Sequence, residues 1–313
     1  SEYALQKYEA ALKVYDQFLT TVPQGEESSR ALLRKGEIHF HLGQLDQAEA
    51  ALNGVTGEGA APEVRAEALY YLGKLQYQKN DLPKSAAAFA TLSENFPASS
   101  LAPFARFQLA FVYLAQNSLE KAASEFAEVA ASNADDTLRA ESQFRAAETY
   151  DRLGWYEPAV AAYRKLQADF PNTPHAQNGA YGYAWALYHA GNAAEAIEAA
   201  RAFVGANPES PEVGGMKYLE ANCLQSLEKY DEAIAVYKEI REKFPDSEFA
   251  SRAHYKIAWS LFLKGEEDTA RAEIERFIDA NPQSQFAGEA SFLLASLLTK
   301  QQNYEDAFDL YRL

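Results

Sequence analysis

Residues 255–282 read YKIAWSLFLKGEEDTARAEIERFIDANP. Two small residues, Ala258 and Ala270, flank a glycine, Gly265, and large apolar residues lie at helical spacing on either side of it. The stretch therefore predicts two helices that meet at Gly265, with Pro282 closing the second. The arrangement recurs along the whole chain. Pro23, Ala60, Pro97, Ala134, Pro171, Pro208, Pro245 and Pro282 are spaced 37 residues apart, with no insertion or deletion. Self-similarity at such a period is the signature of a repeat array.

Numbering each repeat from these residues as zero brings out constant columns. Position +13 holds Gly36, Gly73, Ala110, Ala147, Ala184, Ala221, Ala258 and Ala295. Position +25 holds Ala48, Ser85, Ala122, Ala159, Ala196, Ala233, Ala270 and Ala307. Position +10 is large: Leu33, Tyr70, Phe107, Phe144, Tyr181, Tyr218, Tyr255 and Phe292. The small columns let two helices approach closely. Gly43, Gly154, Gly191 and Gly265 at +20 mark a helix stop. Ser99, Thr173, Ser210, Ser247 and Ser284 at +2 are expected to cap the first helix, with Pro174 and Pro211 directly behind two of them. Each repeat is thus an antiparallel pair, helix A from about +3 to +18 and helix B from about +22 to +35. One pair cannot bury both apolar faces, so the pairs must stack. The expected fold is an all-α solenoid. Its repeats are 23–59, 60–96, 97–133, 134–170, 171–207, 208–244, 245–281 and a truncated 282–313, with residues 1–22 as helix B of a preceding partial repeat. The chain begins and ends in mid-repeat, as a piece cut from a longer array would.

These columns resemble the tetratricopeptide repeat: a small residue, a turn glycine, an alanine, a large apolar residue and a closing proline. The resemblance covers essentially the whole chain and implies a right-handed α-α superhelix. The common tetratricopeptide period is about 34 residues. The additional residues here follow the proline, as in PDSEFASRA, PASSLAPFA and PNTPHAQNG. This longer version is similar to a bacterial envelope subgroup that includes the Tol–Pal cell-division coordinator and the lipoprotein of the barrel-assembly machinery.

A second period runs inside the first. Phe96, Phe170 and Phe244 end the even repeats, whereas Asn133, Asn207 and Asn281 end the odd ones from the third onward. At +14 the third, fifth and seventh repeats carry Phe111, Trp185 and Trp259, between Glu37, Lys74, Glu148, Asn222 and Ser296. The expected unit is a 74-residue pair of unlike repeats. One place breaks the rhythm. Gly54, Gly57 and Gly59 in NGVTGEGAAP fall where other copies have helix, so a seam is expected near residues 53–61.

Composition narrows the function. The net charge of −16 is spread evenly along the chain, which argues against nucleic acid and anionic membranes as partners. No apolar run is long enough to span a membrane. The single Cys223, inside a helix A, reads as a buried apolar residue, and no cysteine zinc cluster can form. The five histidines show no metal-ligand spacing, and there is no phosphate loop, nucleophile elbow or zinc-protease motif. No catalytic residue, metal or cofactor is expected.

Tetratricopeptide proteins usually hold ligands in the groove lined by the A helices, and the resemblance places +7, +10, +14 and +17 there. The carboxylate-clamping groove type needs Lys and Asn at +10 and +14. Only Asn222 fits, so that ligand class is not expected. Aromatic anchors stand instead at Phe107 and Phe111, at Tyr181, Trp185 and Tyr188, and at Tyr255, Trp259 and Phe262. The +14 column tolerates charged and polar residues, which favours groove exposure for its tryptophans. Asn222 and Gln225 lie between the anchors and are candidates to bond a ligand main chain. Gly179, Gly182, Gly214 and Gly215 are candidates to let that main chain approach. The expected function is a non-catalytic scaffold for a protein or peptide partner, in a larger chain or complex of the bacterial periplasm or envelope. A cytoplasmic adaptor and the substrate-recruiting part of a larger enzyme are the alternatives.

Overall fold

The computed structural model describes residues 2–55 and 59–311, with side chains from Lys7 onward. Among the described residues every regular element is an α-helix. After α1 (Glu2–Thr21) the helices alternate in role. The first helices of successive pairs are α2 (Glu26–His41), α4 (Pro62–Gln78), α6 (Ala102–Ala115), α8 (Asp136–Arg152), α10 (Pro174–His189), α12 (Val213–Ser226), α14 (Glu248–Lys264) and α16 (Ala287–Lys300). The second helices are α3 (Leu45–Asn53), α5 (Leu82–Asn95), α7 (Leu119–Ala131), α9 (Tyr156–Asp169), α11 (Ala193–Ala206), α13 (Tyr230–Lys243), α15 (Glu267–Ala280) and α17 (Tyr304–Tyr311). The helices form two compact units, residues 1–176 and 177–313, and the division falls inside α10. Within each unit the short connections make consecutive helices antiparallel neighbours, which is the α-α solenoid arrangement.

The small columns are the contact line inside each pair. Every residue at +13 and +25 is buried in both units. In unit 1 the space they leave is filled by +29 and +32 side chains: Leu52, Phe89, Phe126, Leu92, Val129 and Leu166. Gly73 is needed for this fit, since a Cβ there would lie 2.6 Å from the Phe89 ring. The Ser85 hydroxyl, at a buried small position, donates to the Gly73 carbonyl at 2.8 Å. In unit 2 the corresponding residues are Ala200, Tyr237, Ile274, Ile240 and Phe277, all buried.

The +20 position is left-handed in all eight pairs, with φ between +56° and +88°. Gly43, Gly154, Gly191 and Gly265 adopt it at no steric cost, and Asn80 and Asn117 at little. Glu228 and Gln302 adopt it as well. The reason is the turn. The +20 N–H donates to the +17 carbonyl and the +21 N–H to the +16 carbonyl, as in Gly265 to Phe262 (3.0 Å) and Glu266 to Leu261 (3.0 Å), which is a Schellman end. Glu228→Gly is therefore expected to stabilise the chain by about 0.5–1 kcal/mol, since relief of left-handed strain exceeds the entropy glycine adds to the unfolded chain. Gly191→Ala should shift the urea midpoint in the opposite direction.

The +2 hydroxyls differ from expectation. Ser99, Ser210 and Ser284 lie three residues before their helices begin. Ser247 is the N-cap residue of α14, yet its hydroxyl does not bond a helical N–H; it donates to the Phe244 carbonyl at 2.7 Å. Thr173 alone behaves as a cap, accepting from the Ala176 N–H at 3.2 Å. What all five share is a double turn. The +2 N–H donates to the −1 carbonyl, and the +2 carbonyl accepts from the +5 N–H. This linker accommodates the residues beyond the common repeat length, and Pro211 lies in it rather than in a helix.

The alternation of repeats has a local physical basis. Phe96 is covered by the Arg65 guanidinium and Phe170 by that of Arg139, each 5.3 Å from the ring centre. Where asparagine replaces phenylalanine, its amide donates to the helix end, Asn207 to the Phe203 carbonyl (3.1 Å) and Asn281 to the Phe277 carbonyl (3.0 Å). The +5 partner is then alanine, as in Ala176 and Ala250.

At the seam, α3 ends at Asn53 after nine residues, whereas α5 has fourteen. Val55 is still buried against the core of unit 1. Gly57 lies outside the described residues. Limited proteolysis is expected to cut first within residues 53–61, because three glycines and no large apolar residue beyond Val55 leave little to anchor the backbone. A first cut within residues 171–281, read by mass spectrometry of the early products, would contradict this.

Candidate partner-binding site

In unit 2 the +10, +14 and +17 positions of α10 and α14 form two aromatic clusters. On α10, Tyr181 and Trp185 have ring centres 6.3 Å apart, and Trp185 meets Tyr188 edge-on at 5.9 Å. His189 stacks on Trp185 at 5.8 Å. Helical spacing produces the row, since i, i+4 and i+7 fall on one face. All three anchors are half-buried, and burial raises the Tyr188 phenol above its ordinary pKa. The Trp185 Nε1–H is enclosed and has no acceptor among the described residues.

On α14, Tyr255 stacks on Trp259 at 6.5 Å, and Trp259 meets Phe262 at 5.6 Å. The back of Tyr255 lies parallel to Phe286 at 6.0 Å and against Phe277 at 6.1 Å. These contacts fix the ring while leaving its outer edge open. Beside the cluster lies a cavity of about 560 Å³, lined by Tyr255, Trp259, Phe262, Phe292, Leu293, Gly288, Glu289 and Ser296. Its volume suits several side chains of a bound segment. Phe292, which sequence reasoning placed only in the +10 column, forms an exposed wall of the cavity. Gly288 was also missed: its missing side chain keeps the floor low, but one glycine in a helix carries no signal by itself.

Of the polar residues between the anchors, Asn222 is engaged within the fold. Asn222 is buried, and the Tyr237 hydroxyl donates to its Oδ1 at 2.7 Å. The same hydroxyl reaches Gln225 Oε1 at 3.4 Å. A buried tyrosine on the second helix of the pair must place its hydroxyl somewhere, and the first helix supplies the acceptors. Gly214 and Gly215 are likewise occupied from within. A Cβ at Gly215 would lie 3.3 Å from both the Phe249 ring and the Tyr181 hydroxyl, so this close approach serves internal packing rather than a ligand. Gly179 is buried and Gly182 half-buried.

In unit 1, Phe107 is buried and belongs to the core with Phe126, 5.6 Å away. Phe111 packs edge-on to Phe107 at 5.0 Å and to Phe126 at 5.3 Å, with the Arg145 guanidinium 5.9 Å above its ring. Trp155, which carries no column signal, is exposed and stacks on Tyr150 at 6.1 Å, the apolar contact that accompanies a Schellman turn. Cys223 is buried, and burial pushes its thiol up to about 12. No described helix is long and apolar enough to cross a membrane.

Known proteins place this architecture. Tetratricopeptide repeat families match residues 1–64 and 67–99. The family of anaphase-promoting complex, cyclosome, subunit 3 matches residues 152–240, and an outer membrane lipoprotein family matches residues 221–312. No curated protein matches the chain. Among solved structures, the apo form of RapI is similar over 90% of this chain and 85% of its own, at 13% identity and a TM-score of 0.56, which shows a common fold. A tetratricopeptide repeat protein from Parabacteroides merdae ATCC 43184 aligns over 87% of this chain and 99% of its own, at 17% identity and a TM-score of 0.47. YrrB, described as a tetratricopeptide protein with an unusual peptide-binding site, aligns over 66% of this chain and 98% of its own, at 18% identity and a TM-score of 0.47. With paired helices, small contact columns and these family matches together, the chain is a tetratricopeptide-type repeat protein.

Proposed function

We propose that this chain is a non-catalytic scaffold that binds an apolar segment of a partner protein along the α10, α12, α14 and α16 face of unit 2. The observation that carries this is the cavity at Tyr255, Trp259, Phe262 and Phe292. An apolar cavity with aromatic walls beside fixed rings favours a side-chain anchor over a charged ligand. Trp185 and its neighbours are a second anchor. The Asn222 amide oxygen between them is taken up by Tyr237, so recognition rests on apolar side chains more than on main-chain hydrogen bonds. The outer membrane lipoprotein match over residues 221–312 supports a place in a bacterial envelope complex.

The test begins with crosslinking and affinity capture from an envelope extract, followed by titration of the purified partner. Trp259→Ala is expected to weaken binding by about 2 kcal/mol, as central aromatic anchors do. Its circular dichroism spectrum should match that of the parent. Unchanged affinity in the Trp185→Ala, Trp259→Ala double variant would overturn the proposal.

A further inference from the structure

In the first two repeats, positions +11 and +7 of neighbouring first helices close on each other. Arg34 at +11 donates to both carboxylate oxygens of Glu67, at +7 of the next repeat, at 2.8 and 3.2 Å. The same guanidinium donates to Glu37, at +14, and the Tyr71 hydroxyl donates to the other Glu37 oxygen. Six repeats later the same four positions hold Lys256, Glu289, Trp259 and Leu293 in place of Arg34, Glu67, Glu37 and Tyr71. Glu289 is exposed and has no hydrogen bond or ion pair among the described residues. A carboxylate that is closed in unit 1 is therefore open in unit 2.

The surroundings of Glu289 explain why. Lys256, in the place of Arg34, is half-buried, and burial lowers its ammonium below the usual lysine range with no carboxylate to oppose the effect. Trp259, in the place of Glu37, brings a π face where unit 1 has a second carboxylate. Glu289 lines the cavity with Tyr255, Trp259 and Phe262, and its charge adds to burial in raising the Tyr255 phenol. The +7 position also stays accessible inside the array. Phe104 is exposed, and Glu67 and Glu141 are half-buried, although further repeats follow each of them.

We propose that the cavity between α14 and α16 takes an arginine side chain of the partner segment, with its guanidinium on Glu289 and its stem along Trp259 and Phe262. This rests on the groove reading and narrows it: the stem of the anchor is apolar, and its charge is confined to the tip. Arg34 on Glu67 is the same bond made within the chain. Arginine suits the site better than lysine, because its planar fork meets both carboxylate oxygens and lies flat on an aromatic ring. The net charge of −16 favours the approach of a cationic group.

The probes are synthetic serine-leucine-X-leucine-serine peptides, blocked at both ends, with X as arginine, citrulline or norleucine. Each is titrated into the isotope-labelled full chain and followed by the indole N–H signals in nuclear magnetic resonance. The chain has three tryptophans, so the Trp259 signal is identified by its loss in Trp259→Phe. The arginine peptide is expected to shift it saturably, about tenfold more tightly than the citrulline peptide, which has the same shape without the charge. Glu289→Gln should erase that difference, and Glu289→Lys should make arginine the weaker ligand. Indole signals at the parent positions before titration check that these exposed changes leave the fold intact. Equal binding of the arginine and norleucine peptides, unchanged by Glu289→Gln, overturns the proposal and leaves the apolar groove reading standing. Shifts confined to the Trp155 or Trp185 signal overturn it too, since the charge is then read elsewhere. No shift with any peptide also overturns it, and the Trp185→Ala, Trp259→Ala double variant with the captured partner still tests the groove by itself.

Discussion

Tyr237→Ala is expected to destabilise unit 2 by about 3–5 kcal/mol, the range for emptying a large fully buried aromatic site. Tyr237 is among the largest fully buried side chains. Its ring fills the space between α12 and α13 opposite Ala221, and its hydroxyl satisfies Asn222. Truncation would leave both a cavity and an unpaired buried amide oxygen. Tyr237→Phe separates the two effects. It keeps the ring, removes only the hydrogen bond, and should cost about 1–3 kcal/mol. Because stability in a repeat array is close to a nearest-neighbour sum, the loss should be local. Hydrogen exchange should show lost protection in α12, α13 and α14, with α5 and α7 unchanged. Equal loss along the entire chain would contradict an array.

Ala233→Trp acts from the opposite direction. Ala233 has no exposed surface and belongs to the small +25 column of the α12–α13 pair. An indole there must displace Tyr237 or separate the helices, and overpacking of this kind costs about 1–3 kcal/mol, sometimes more. Ala270→Trp tests the same column one pair later. The measurement is the urea midpoint together with site-resolved exchange. A midpoint equal to that of the parent would mean that the small column is not the helix contact.

The alternation of repeats takes on physical meaning beside these tests. Phe96 and Phe170 before the closing position are covered by the guanidinium planes of Arg65 and Arg139, whereas Phe244 has Val213 at the matching position. An asparagine needs none and bonds the preceding helix end instead. In two of the three phenylalanine repeats the +5 residue is arginine, and in those ending with Asn207 and Asn281 it is alanine, so the two positions change together there. The sequence pattern revealed the alternation, and the geometry supplies its cause.

The sequence alone determined the helices, their close contacts and their turns. A fixed 37-residue period makes each column a repeated measurement of one environment, so eight small residues at +25 leave little choice but helix against helix. It also located the aromatic rows, because i, i+4 and i+7 must share a helical face. It did not reveal that +20 is left-handed where the residue is Glu228 or Gln302, since the hydrogen bonds of the turn impose that conformation whatever the side chain. Only the tertiary structure decided which residues of the aromatic and polar rows remain open. Asn222 and Trp259 share the +14 column, yet Asn222 is closed by a hydroxyl from the helix that follows it, whereas Trp259 borders a cavity. Phe107 and Tyr255 share +10, yet one is core and the other stacks between Trp259 and Phe286. Exposure at a given column is set by the side chains that neighbouring helices bring to it, and a one-dimensional pattern does not record how far those side chains reach.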